Sequence, residues 1–292
     1  MEQQNSGVSA VVLGVMQDGG LPHIGCECTR CLAAFENPSL AGYAASLAVI
    51  DRRDMRPRVW IIDATPDIKW QLAMLAVDLG PRVDREDRLR QPDGLFLTHA
   101  HMGHVGGLPQ FGPEAMAVRD MPLYGTPALL ELLQETSLWQ PVISRLHLRP
   151  VLPGEPLTLA TGLSITAVSV PHRDEWSVGT VAYRINGPRR KLFYLPDIDE
   201  WDRWSQANRE LAGVDVALVD ASFFTVDELG GRAPVAHPLV PDTVRRFANI
   251  PGRLVLMHIN HTNPILDRDS LERREVLQAG VQIAYQGLEF PL

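Results

Sequence analysis

Cysteine is nearly missing from this chain: its 292 residues contain three, all between positions 26 and 31. An odd, clustered set makes a poor disulfide framework and a better metal cluster. Long apolar runs are missing as well, and none approaches the roughly 18 residues that a membrane span needs. No block of lysine or arginine stands out, and the net charge is −8. Both features argue against a nucleic-acid surface, which needs a basic stripe. They leave room for a small anionic substrate held by one or two arginines. There is no internal repeat and no low-complexity linker. The opening MEQQNSGVSAVVLGV lacks a basic n-region and a cleavage site, so no signal peptide is expected. The expectation is a cytoplasmic protein that meets a small-molecule substrate, neither nucleic acid nor membrane, with a homodimer as an open option.

What is present is enough apolar residue for a large core. Hydrophobic residues make up 45% and charged residues 21%, ordinary values for a globular chain. Length allows one large α/β domain, expected over 1–292. Apolar or alternating runs predict strands at Val8–Val15, Ser46–Asp51, Val59–Ala64, Gly94–Thr98, Leu123–Gly125, Ser164–Val170, Thr180–Ile185, Lys191–Leu195, Val214–Asp220, Arg253–His258 and Val281–Tyr285. Helical periodicity falls at Asp67–Leu79, Pro127–Thr136, Trp201–Leu211, Pro241–Ala248 and Asp269–Leu277, and the charged stretch 80–93 reads as a surface loop. Several strands are continuously apolar, as expected of sheets covered on both faces.

Chemistry concentrates in GLFLTHAHMGHVGGL, residues 94–108. An apolar strand ends at Thr98, and His99, His101 and His104 follow. Two histidines two apart point the same way from an extended end, and the third returns at the start of a helix. Imidazoles grouped in this way suit Zn, Fe or Mn. Further strands also end in donors: SVPHRD gives His172, FYLPDID gives Asp197 and Asp199, ALVDAS gives Asp220, and LVLMHINH gives His258 and His261. Donors at the carboxyl ends of successive strands are how sheet-based enzymes build sites.

THAHMGH resembles the HxHxDH signature of metallo-β-lactamase-fold hydrolases, and WIIDATPD resembles the preceding strand with its buried aspartate, here Asp63. His172, Asp197 and His258 match the later ligands in order and approximate spacing. The resemblance covers roughly residues 8–290. It implies an αββα sandwich with its site at one edge of the two sheets. It also implies one metal held by His99, His101 and His172, a second held by His104 and His258, and Asp197 bridging them. The chain departs from the signature at Gly103, where the family has an aspartate that helps hold the second metal. The expectation is a weak or partly filled second position, with Asp199 or Asp220 as candidate substitutes and Gly103→Asp expected to tighten it.

The cysteines lie in HIGCECTRC, and Cys26, Cys28 and Cys31 supply three of the four ligands that zinc wants. A CxCxxC loop after the first strand resembles a branch containing pyrroloquinoline-quinone biosynthesis protein B and the cyclic phosphodiesterase of phosphonate breakdown. That resemblance implies a structural zinc staple at about residues 20–35 with His261 as the fourth ligand; His23 is the rival, being close in sequence. DGGLPHIGCECTRC and HINHTNPIL resemble the quinone-biosynthesis members most, and members there often lack a complete HxHxDH motif.

Arg173 and His237 are candidates for substrate contact, and Trp176, Trp201, Trp204, Phe223 and Phe224 are aromatic candidates for a pocket wall or for the core. The first functional expectation is a metal-dependent hydrolase of a small polar ester or phosphoester, with Asp197 at the metals and His104, His237 or Asp199 as proton donor. The second is an Fe-dependent, oxygen-using enzyme of quinone-cofactor biosynthesis. The third is a non-catalytic carrier on a degraded hydrolase scaffold. Expected cofactors are structural zinc, with Zn, Mn or Fe at the active site.

Overall fold

The computed structural model describes residues 7–232 and 236–292. Side-chain alternation along the strands decides its layers. Along Ser46–Asp51, Leu47 and Val49 enter one buried cluster while Ala48 and Ile50 enter another. Along Val216–Asp220, Val216 and Leu218 join the first of these clusters, and Ala217 and Val219 a third. A strand presents successive side chains to opposite faces, so each of these strands lies in a sheet covered on both sides.

One sheet runs, in spatial order, through β14 (Glu289–Pro291), β1 (Val8–Gly14), β2 (Ser46–Asp51), β3 (Arg58–Ile62), β4 (Gly94–Phe96), β5 (Met121–Gly125) and β6 (Leu146–Pro150). The other runs through β13 (Gln282–Ile283), β12 (Arg253–Met257), β11 (Val216–Asp220), β10 (Lys191–Leu195), β9 (Thr180–Asn186), β8 (Leu163–Val170) and β7 (Pro156–Ala160). Their facing sides share a core that includes Trp60, Ile62, Phe96, Tyr183, Tyr194 and Met257. Two helices, α1 (Thr29–Glu36) and α4 (Met102–Val105), follow the strand ends that carry the cysteines and the histidine motif. The outer face of the first sheet is packed by α2 (Ile68–Met74), α3 (Ala76–Leu79), α5 (Pro127–Glu135) and α6 (Gln140–Ile143). The second is packed by α7 (Ala207–Ala212), α8 (Val240–Phe247) and α9 (Leu271–Gln278). The architecture is the expected αββα sandwich. No helix of the described residues is long and apolar enough to cross a membrane.

Several expected boundaries differ. The helix predicted over Asp67–Leu79 breaks at Leu75, which leaves helical geometry at φ −92, ψ 8 while its side chain stays buried. Packing there outweighs helix propensity. The Trp201–Leu211 helix is a single 3₁₀ turn, Trp201–Arg203, followed by α7. Trp201 and Trp204 are core residues packed with Phe193 and Phe247, and Trp201 also lines a cavity beside His237. Three strands were not predicted: β6, β7 and β14. All three are edge strands that contain proline, which an edge tolerates and a central strand does not. The cysteine segment is only partly a loop, because Cys31 lies in α1.

Candidate metal centre

Strand direction brings the candidate ligands to one edge. Strands β3 and β4 are parallel, as are β10, β11 and β12. β1 points the same way as β3 through antiparallel β2, and β8 the same way as β10 through antiparallel β9. Their carboxyl ends carry Asp18, Asp63, His99, His172, Asp197, Asp220 and His258. The sheets meet at this edge: Ile259 N donates to Val15 O at 2.7 Å, Gln17 N to Ile259 O at 3.0 Å, and Val181 N to Thr98 O at 3.0 Å.

The donor atoms fall into two adjoining groups. In the first, His101 Nδ1 lies 2.9 Å from His99 Nε2 and 3.3 Å from His172 Nε2. In the second, Asp197 Oδ2 lies 3.0 Å from His104 Nε2 and 3.4 Å from His258 Nε2. Asp197 also reaches the first group, 3.7 Å from His172 Nε2 and 4.0 Å from His99 Nε2. Ligands about 2.0–2.2 Å from one small cation stand roughly 3–3.5 Å from each other. Among the described residues, His104 Nε2, His258 Nε2, Asp197 Oδ2 and Asp18 Oδ1 are buried without a hydrogen-bond partner. Each orphaned group costs about 1–3 kcal/mol if nothing satisfies it, so four converging on one point fit a cation.

Comparison with known proteins agrees with this geometry. A sequence profile described as beta-lactamase superfamily domain matches residues 58–259, well over half of the chain. The chain belongs to the beta-lactamase superfamily. It is 28% identical to coenzyme PQQ synthesis protein B of Cupriavidus necator, covering 96% of this chain and 98% of that one. The same protein of Methylorubrum populi is 27% identical, with 97% and 99% covered. Among solved structures, zinc-bound PqqB from Methylobacterium extorquens superposes with a TM-score of 0.83 at 26% identity, covering 97% of this chain and all (100%) of that one. A diphosphatase from the PhnP family superposes with a TM-score of 0.72 at 22% identity, covering 98% and 97%, and shares the fold. The fold is the metallo-β-lactamase fold.

As elsewhere at metal sites, outer partners orient the rings of this superfamily member. His104 Nδ1 lies 2.8 Å from Asp63 Oδ2, and His99 Nδ1 lies 2.9 Å from Thr98 Oγ1, which is itself held by Asp63. His258 Nδ1 lies 3.0 Å from Ser222 Oγ, and His101 Nε2 lies 2.8 Å from Glu175 Oε2. With those outer nitrogens engaged, the inner nitrogens are the ring atoms turned to the site. Asp63 and His258 adopt φ of 70° and 57°, a left-handed region costly for non-glycine residues and often found at functional sites.

Electrostatics divide the centre. Burial pushes the His99 and His172 pKa values down, keeping both rings neutral. Burial opposes charge on His104 too, but Asp63 and Asp197 outweigh it and raise its pKa well above the usual value. His258 is likewise raised to about 10, its burial outweighed by Asp197, Asp18 and Asp220. Burial opposes ionisation of Asp197, yet His258 and His104 hold its carboxyl well below the usual range. The second group is therefore a carboxylate-rich pocket that favours positive charge, and the first is an uncharged set of imidazoles.

The remaining candidates are distributed as follows. Cys26, Cys28, Cys31 and His261 each bring a donor atom within 4.8 Å of the others. His261 Nδ1 is buried and unpartnered. His23 instead stacks on the His261 ring at 4.5 Å between centroids and uses its Nδ1 on the Ile24 carbonyl. Asp199 faces His172 Nδ1 at 3.1 Å and accepts from Arg203 at 2.8 Å. Asp220 accepts from Ser222 and pairs with His237 Nδ1 at 2.7 Å. Asp220 also brings a donor atom within 4.8 Å of donors on Asp197, His237 and His258, while Asp199 is engaged by His172 and Arg203. Phe223 packs 6.1 Å from the His237 ring, and Phe224 lies in the core. Arg173 and Trp176 are half-exposed on the loop that carries Glu175, and the Trp176 ring stands 6.3 Å from that of His101. Sequence reasoning missed Asp18, Glu175 and Ser222. Asp18 alone left a signal there, as the acidic residue of the DGG turn that ends the first strand.

Proposed function

We propose that the chain is a metal-dependent hydrolase of a small polar phosphoester, using two ions that share Asp197. The observation that carries this reading is the convergence of imidazole and carboxylate atoms, four of them without a hydrogen-bond partner among the described residues. His99, His101 and His172 would hold one ion, and His104 and His258 the other. When bound, such a pair polarises the phosphoryl oxygen and makes water a competent nucleophile near neutral pH. The protein's own part is placement: Asp63, Thr98, Ser222 and Glu175 fix the rings. His104 and Asp197 turn their free atoms to the metal positions, so their role is ligation rather than proton transfer. His237 is the proton donor to the leaving group. Its Nδ1 is anchored on Asp220, and its Nε2 lies 3.3 Å from the Gln17 amide. The Gln17 oxygen accepts from the Asn260 amide, so the side chain is fixed with its nitrogen toward the ring. An open cavity of about 630 Å³ reaches from His237 to Asp199, Arg245 and Arg246, room for a small substrate.

A second reading is an Fe-dependent, oxygen-using step in synthesis of the PQQ cofactor. Its support is the similarity to PQQ synthesis protein B along nearly the whole chain, and histidine–carboxylate sites suit Fe(II) as well as Zn or Mn. A carrier role would leave the donors satisfied by neighbouring side chains, and four of them are not. Cys26, Cys28, Cys31 and His261 are proposed to hold a separate structural zinc.

Reconstitution with Zn, Mn or Fe(II), followed by assays of bis-p-nitrophenyl phosphate hydrolysis and of oxygen uptake, separates the readings. Release of p-nitrophenolate by the Zn or Mn protein, abolished in His101→Ala along with one bound metal, is expected. Oxygen uptake by the Fe(II) protein without any phosphoester hydrolysis would transfer the assignment to the second reading.

A further inference from the structure

Gly103 stands where the HxHxDH pattern has its carboxylate, and the space in front of it is filled. A Cβ placed on Gly103 would lie 2.2 Å from Asp18 Oδ1, 2.4 Å from its Cγ and 2.6 Å from its Cβ. No real Cβ makes such contacts, so a side chain at 103 and the Asp18 side chain exclude one another. Asp18 arrives from the turn after β1. That turn is pinned beside His258 by the Val15–Ile259–Gln17 hydrogen bonds and by Gly20 N, which donates to Gln17 O at 2.8 Å. Its Oδ1 is a buried, unpartnered atom, 3.2 Å from His104 Nε2 and 3.5 Å from His258 Nε2.

We propose that Asp18 is the carboxylate ligand of the second metal, supplied from the first strand in place of the one missing at 103. The exchange conserves the charge of the site and changes only the element that delivers it. It also gives Gly103 a reason: glycine is the residue that leaves Asp18 its room. The second position is then a complete set of His104, His258, Asp197 and Asp18, not a weakened one. Gly103→Asp would collide with Asp18 rather than add a ligand, which reverses the expectation drawn from sequence.

The proposal rests on the two-metal reading of the site and is independent of the reaction catalysed there. The test counts Mn²⁺ bound to protein stripped of metal and then loaded with one zinc per chain, from the loss of the free Mn²⁺ resonance signal, since thiolates take the single zinc and the His/Asp set is left to accept manganese. Wild type should bind two Mn²⁺ per chain. Asp18→Asn should keep one and bind the second at least tenfold more weakly, because outer-sphere partners alone are worth ~10–100-fold and a direct ligand no less. The relocated carboxylate, Asp18→Gly with Gly103→Asp, should bind two again. Gly103→Asp alone should lower the Tm without tightening either metal. Two equally tight ions in Asp18→Asn, only one ion in wild type, or a tighter second ion in Gly103→Asp with unchanged Tm would each overturn the assignment. If Asp18→Asn does not fold, the relocated pair and the Gly103→Asp variant still decide. Metal counts that follow the expected pattern with no phosphoester hydrolysis would remove the hydrolytic reading and leave Asp18 in place.

Discussion

At His237, burial works against a positive charge, but Asp220 and then Asp197 outweigh it, and the pKa is raised. The shift favours the ring's second proton, which a donor to a leaving alkoxide must hold. Activity that needs protonated His237 is present below the raised pKa and falls as pH rises through it. His237→Gln should lower kcat by about 10²–10⁴, a typical contribution of general acid catalysis, and should flatten that alkaline fall. Bound metal should be unchanged. Loss of an ion in this variant, rather than loss of the pH limb, would make His237 a ligand instead. His237 itself adopts φ 73° beside the chemistry, a local strain that the Asp220 and Gln17 contacts hold in place.

At the scale of elements, the segment from 20 to 36 ties the end of β1 to the turn after β12. His261 is clamped there by Arg30, which donates to its carbonyl, and Cys31 is buried at the start of α1. Burial pushes the Cys31 thiol up to about 11, so without a cation this thiol stays protonated. A bound zinc would reverse that, since the metal ligand is the thiolate. Binding energy at such a staple is folding energy. Cys28→Ser and His261→Ala should each lose the thiolate-bound zinc and lower the Tm, and neither should abolish turnover selectively. Zn–S distances of about 2.3 Å by X-ray absorption would mark the site. Full zinc retention in His261→Ala would return the fourth position to His23 or to water. The DGG turn that carries Asp18 leads directly into this segment, so loosening the staple should also weaken the second metal.

For the molecule as a whole, the centre joins the two sheets. Asp18, His99, His101 and His104 come from one, and His172, Asp197 and His258 from the other. A ligand that binds only the folded state stabilises it by mass action, about 2.7 kcal/mol at a concentration 100 times its Kd. For a chain of this size that is roughly 5 °C in Tm. Calorimetry of protein stripped by a chelator and then reloaded with Zn²⁺ should show a rise of at least that order. An unchanged Tm would mean that the ion does not brace the sheets.

The sequence by itself determined which strand faces are buried and which donors stand at strand ends. Alternating apolar residues in strands such as Ser46–Asp51 and Val216–Asp220 fix which faces are buried, because a strand has only two. Donors at strand ends, His99, His172, Asp197 and His258 among them, were legible because chain direction carries them to a common edge. The edge strands β6, β7 and β14 were not legible, since half-exposed segments with proline lack a periodic signal. Tertiary structure alone decided the metal-facing carboxylate. Asp18 and Gly103 lie far apart in sequence, and only the meeting of β1 with β12 sets one side chain in the space the other leaves. A missing side chain can be read from a motif, but the residue that fills its volume is chosen by packing, which no local pattern encodes.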